Sequence, residues 1–149
     1  MCEIVSFEIA KKLKEKGFDY PCIYAYCEKG GWNMYTQKHE PITYQLRTDG
    51  NPFGSFYIGK NWNIKYERNK NKIKCSAPTI SQVLKWLREE KKMFVQISLF
   101  QYCYDYCILD TTMVYYDNEH KVLHQWPTGY SYNEAALAGI EYILDNNLI

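Results

Sequence analysis

The sequence predicts an α+β domain: antiparallel sheet covered by about three helices, in the order α, several β, α, three or four β, α. Three observations carry that prediction. Amphipathic stretches open on helix-capping residues near positions 6, 79 and 131. Between them lie short runs that alternate apolar and polar side chains. Glycine, asparagine, aspartate and proline punctuate those runs at loop spacing.

The first helix is predicted from Phe7 to Lys16, capped by Ser6. Val5, Ile9, Ala10 and Leu13 form its apolar stripe, and four lysines cover the opposite side. Gly17 followed by Phe18 reads as a left-handed stop with its hydrophobic contact. Strands are then predicted at Ile23–Cys27 and Asn33–Gln37, joined by a hairpin turn at Lys29-Gly30-Gly31. Ile42–Arg47 reads as a strand, followed by the loop Thr48-Asp49-Gly50-Asn51-Pro52. Phe56–Ile58 and Asn63–Tyr66 are further strands around a turn at Gly59-Lys60-Asn61.

The second helix has the clearest start. Pro78 biases Ala77 toward extended angles, Thr79 caps, and Gln82 completes a capping box. Ile80, Val83, Leu84 and Leu87 recur at helical spacing, with Trp86 at the edge of the stripe. Val95, Ile97 and Leu99 alternate with Gln96 and Ser98 as a half-buried strand. Tyr104–Leu109, Met113–Tyr116 and Lys121–Gln125 continue the meander. The last helix opens on a second capping box, Ser131 with Glu134, and buries Ala135, Ala136, Ile140, Ile143 and Leu144. Ala138 and Gly139 leave room for another element to come close. The expected organisation is one domain over residues 1–149, with two subdomains, 1–75 and 76–149, sharing a sheet as the alternative.

Composition bounds the function classes. No apolar run approaches the ~18 residues that cross a bilayer, and the first residues lack the pattern of a secretory signal. The expectation is a soluble, cytoplasmic chain with its six cysteines (Cys2, Cys22, Cys27, Cys75, Cys103 and Cys107) reduced. Net charge is only +1, but residues 1–104 hold 17 basic against 10 acidic side chains and residues 105–149 one against seven. Tyrosine is in excess, 15 of 149, and suits both sheets and recognition surfaces.

Two patterns invite chemistry. Cys103-x3-Cys107-x12-His120-x3-His124 has the spacing of a two-cysteine, two-histidine zinc finger. The large apolar residues such a finger packs on its metal are missing, with Thr111 and Asp117 in their places, so the expectation is no metal and no other cofactor. Residues 57–74 interleave Lys60, Lys65, Arg68, Lys70, Lys72 and Lys74 with Tyr57, Trp62 and Tyr66. Such a mixture binds single-stranded nucleic acid, or else guards a sheet edge. No catalytic motif is present, which points away from an enzyme. The leading expectation is therefore a protein-binding or adaptor domain, through a protein partner or self-association, with nucleic-acid binding by residues 57–74 as the alternative and an enzyme whose site only the fold assembles as the third reading.

Helix, three or four strands, helix over residues 79–149 resembles the topology of a double-stranded-RNA-binding domain. Tyr132, Asn133 and Glu134 stand where that family puts its phosphate-binding lysines, so duplex RNA is not expected. The stretch from Ser76-Ala77-Pro78-Thr79 to Leu87-Arg88-Glu89, the run Tyr132-Asn133-Glu134-Ala135-Ala136 with Ile140 and Leu144, and the opening from Val5 to Phe18 carry a further likeness. Through them most of the chain resembles small proteins of bacteroidete bacteria and their phages, a group with no assigned activity. That likeness implies a prokaryotic or phage accessory protein.

Overall fold

The structure is a computed structural model, and it describes residues 3–33, 35–48, 63, 73–100, 103–111, 121–129 and 131–149. Its class is α+β: three helices and two three-stranded antiparallel sheets among the described residues. The strands do not share one sheet. The chain divides into two compact units, Val5–Pro78, and Met1–Ile4 together with Thr79–Ile149.

In the 5–78 unit, helix α1 spans Phe7–Glu15. Ser6 Oγ accepts from the Ile9 amide at 3.3 Å, which answers one of the unpaired donors of the first turn. The helix ends as the Gly17-Phe18 pair predicts. Gly17 has φ +84°, its amide donates to Lys14 O, and the Phe18 amide reaches back to Leu13 O. The sheet has the order β2-β1-β3, with β1 at Tyr24–Asn33, β2 at Lys38–Thr48 and β3 at Ile73–Ala77.

The hairpin expected at Lys29-Gly30-Gly31 is not a turn. Strand β1 runs straight through both glycines, and the chain reverses four residues later, before Lys38. The register slips between Lys29 and Gly31, where the stretch around Pro41 and Ile42 on β2 holds one residue more than β1. Gly30 and Gly31 supply the positive φ values, +109° and +90°, that this bulge demands. Of the strands expected between residues 56 and 66, only Asn63 lies within the described residues. Its side chain donates to Phe18 O at 2.6 Å and accepts from the Ser76 amide at 2.9 Å. Val5, Ile9, Leu13, Phe18, Cys22, Ala25, Cys27 and Cys75 form the core. The Tyr26 hydroxyl donates to Val5 O at 2.6 Å within it.

The second unit runs α2 (Ile80–Glu90), β4 (Met93–Phe100), β5 (Cys103–Asp110), β6 (Lys121–Gly129), α3 (Tyr132–Asp145), with strand order β4-β5-β6. Both capping boxes are present: Thr79 with Gln82, and Ser131 with Glu134. Helix α3 packs on all three strands, and α2 packs on β4 and on α3. Two sides of α2 are thus covered, so Trp86 is buried rather than placed at the stripe's edge. Along β4, Val95 is buried, Ile97 half-buried and Leu99 exposed, so burial fades toward the end of the strand. Helix and sheet approach closely at Gly139: a Cβ there would sit 2.7 Å from Val95 Cγ1.

The Thr79 cap yields a direct test. Thr79 Oγ1 accepts from the Gln82 amide at 3.2 Å, and Gln82 Oε1 accepts from the Thr79 amide at 2.9 Å. Thr79→Ala is expected to lower stability by about 1 kcal/mol in urea unfolding. An unchanged midpoint and slope would place the helix start elsewhere.

Candidate functional site

Of the basic–aromatic segment, only Lys74 lies in the described residues; Tyr57, Lys60, Trp62, Lys65, Tyr66, Arg68, Lys70 and Lys72 lie outside them. Lys74 is on β3, and its ammonium is 2.5 Å from the Glu28 carboxylate on β1. That contact is the main reason its pKa is raised. The Lys74 charge thus already has a partner within its own sheet.

The zinc pattern does not assemble on β5. Cys103 and Cys107 are four residues apart on one strand, about 13 Å along it. Ligands of one tetrahedral zinc must bring their sulfurs within about 4 Å of each other. His124 on β6 stands opposite Ile108, while Gln125 is opposite Cys107, and His120 lies outside the described residues. Among the described residues no cluster of histidine, cysteine, aspartate and glutamate is arranged for a metal.

The residues that do come together are in the 5–78 unit. A groove of about 440 Å³ is lined by Phe7, Lys11, Lys14 and Glu15 of α1, Tyr44 of β2, and Lys74 and Cys75 of β3. The Phe7 ring stacks on Tyr44 with centroids 3.7 Å apart and planes 13° from parallel, and meets Tyr26 edge-on at 5.4 Å. The Lys14 ammonium donates to Lys74 O at 2.6 Å, tying α1 to β3. Burial pushes the Cys75 thiol up to about 11, with Lys14 pulling the other way, and pushes Cys22 up to about 12. Both are protonated at neutral pH, so neither thiol adds a charge beside the groove.

Beside the groove, β2 is an edge strand among the described residues, and it carries Pro41, which has no amide to offer a neighbour. Tyr44 and Leu46 alternate onto one face and are 41% and 44% exposed; Ile42, at the bulge, is 57% exposed. Sequence reading missed this assembly, because its parts are drawn from positions 7–15, 42–46 and 74–75, and only strand pairing joins them.

No family model matches the chain, and neither a curated protein nor a solved structure matches it.

In the second unit, the N-terminus of α3 is answered from within. The Glu134 carboxylate accepts from the Ser131 amide at 2.9 Å, and Asn133 donates to the Glu3 carboxylate at 2.5 Å. Two carboxylates at this helix start oppose phosphate binding there. Among the described residues no helix is long and apolar enough to cross a membrane.

Proposed function

We propose that this chain is a non-enzymatic binding or adaptor protein that holds a protein partner against the α1–β2 face of its 5–78 unit. The observation that carries the reading is the row Ile42, Tyr44 and Leu46, large apolar side chains left in water on an edge strand. Tyr44, the middle of that row, stacks on Phe7 and lines the groove with it. Rigid aromatic anchors beside a concave surface are the usual energetic centre of a protein interface. Two features support a binding role over chemistry. The buried thiols of Cys22 and Cys75 are held protonated, and Lys74 is tied to Glu28. Free cysteines at Cys22, Cys27 and Cys75 suit a reducing compartment such as the cytoplasm of a bacterium or a phage-infected cell.

The test is the double variant Tyr44→Ser and Leu46→Ser, with Gln96→Ser on β4 as a control. A partner identified by cross-linking to the wild-type protein should bind the double variant at least tenfold more weakly. The control should bind it normally. Equal binding by all three proteins would move the interface away from β2.

A further inference from the structure

The groove carries a sign as well as a shape. Lys11, Lys14 and Lys74 line it against Glu15, so the lining itself holds two positive charges in excess, with Glu28 paired to Lys74 and Glu8 acting on Cys75 from beside it. Lys11 is exposed on α1, and its ammonium makes no hydrogen bond or ion pair among the described residues. The unit around it is also positive: residues 5–78 hold 13 lysines and arginines against seven aspartates and glutamates, net +6. The other unit holds five against ten, net −5, so the small overall charge of +1 conceals two strongly charged parts.

We infer that the groove takes an acidic peptide segment carrying one large apolar side chain, its carboxylates against Lys11 and Lys14 and its apolar group against Phe7 and Tyr44. The inference rests on the reading of this face as a protein-binding surface, and it adds the partner's chemistry. The volume of about 440 Å³ lies in the range of side-chain and small-ligand sites, ~300–1,000 Å³. The stacked aromatic pair supplies the affinity, and the lysines set the sign of what approaches. A polynucleotide fits less well. Phe7 already covers one face of Tyr44, which leaves less of that ring for a base to stack on.

The experiment measures fluorescence anisotropy of the full chain with four labelled probes: Asp-Glu-Trp-Glu-Asp, Lys-Lys-Trp-Lys-Lys, Asp-Glu-Gly-Glu-Asp and oligothymidylate. The acidic tryptophan peptide should bind best, and its affinity should fall between about 50 and about 300 mM salt as screening grows. Lys11→Gln should weaken it about threefold, and Lys11→Gln with Lys14→Gln about tenfold. The single variant touches no other contact, so its fold is not at issue, and unfolding curves verify the double. Tyr44→Ser should abolish binding of that peptide, and the glycine peptide should not bind.

Equal binding of the acidic and basic tryptophan peptides, both lost in Tyr44→Ser, would overturn the acidic inference and leave the protein-binding face standing. Failure of all three peptides overturns the inference, and the Tyr44/Leu46 partner test then decides the face separately. Tighter binding of oligothymidylate would overturn both in favour of a nucleic-acid surface. Sedimentation of the unlabelled protein covers the remaining occupant. Self-association that Lys11→Gln with Lys14→Gln abolishes would assign the groove to the acidic unit of a second copy, and overturn the choice of a separate partner.

Discussion

Gly30→Ala is expected to cost the protein about 3 kcal/mol or more, enough to unfold the 5–78 unit of a chain of ordinary marginal stability. Two costs add. Gly30 sits at φ +109°, where an alanine pays about 1–3 kcal/mol in backbone strain. A Cβ there would also overlap the Pro41 carbonyl oxygen, and would lie 2.9 Å from Pro41 C and 3.2 Å from Ile42 Cα. All three atoms are backbone, so no side-chain rotation relieves the clash, and β2 would have to move off β1. Gly31 provides the control. It has φ +90°, but nothing lies within 4 Å of its Cβ position, so Gly31→Ala should pay the strain alone. Urea unfolding followed by far-UV circular dichroism should rank the proteins as wild type, Gly31→Ala, Gly30→Ala. Equal midpoints for the two variants would mean that the β1–β2 register at Pro41 is different. Because Tyr44 and Leu46 are placed by that same register, the effect reaches the binding face.

What was legible in the sequence was what local chemistry decides. Each helix start depends on a side chain and an amide two or three residues away, so Ser6, the Thr79–Gln82 box and the Ser131–Glu134 box could be read directly. Gly17-Phe18 closes α1 through bonds that span only five residues. The Gly30-Gly31 pair was misread because a hairpin turn and a bulge ask for the same thing, a residue at positive φ. Only the partner strand distinguishes them, and the partner strand is a tertiary fact. Strand β3 was passed over for a related reason. Ile73–Ala77 was read for its lysines, whereas its place in the sheet is set by Tyr26 pairing with Cys75, 49 residues away. The groove is the extreme case, since Phe7, Tyr44 and Lys74 share nothing in sequence. Charge and aromatics cluster along the chain at residues 57–74, whereas α1 becomes a wall of a site only once the strands pair.

Trp86→Ala is expected to cost about 3–5 kcal/mol in the second unit. Trp86 is 1% exposed and is the largest fully buried side chain among the described residues. On periodicity alone it falls beside the stripe of Ile80, Val83 and Leu87, and a helix resting on one surface would leave it at the rim. Helix α2 rests on two, β4 and α3, and the wider covered arc takes in Trp86. Truncation to alanine would remove the ring and leave a cavity that packed helices and strands fill only in part. A cation adds a smaller contribution, because the Lys91 ammonium lies 5.0 Å from the ring centroid at the C-terminal end of the helix. Lys91→Ala measures that contribution separately, and should cost about 0.5–1 kcal/mol. Trp86→Phe should fall between the two, since it keeps an aromatic body while losing volume. Far-UV circular dichroism in a urea series reads all three variants without relying on tryptophan emission, which the substitutions alter. A loss below about 1 kcal/mol for Trp86→Ala would return the side chain to the edge of its helix, and with it the two-sided packing of α2.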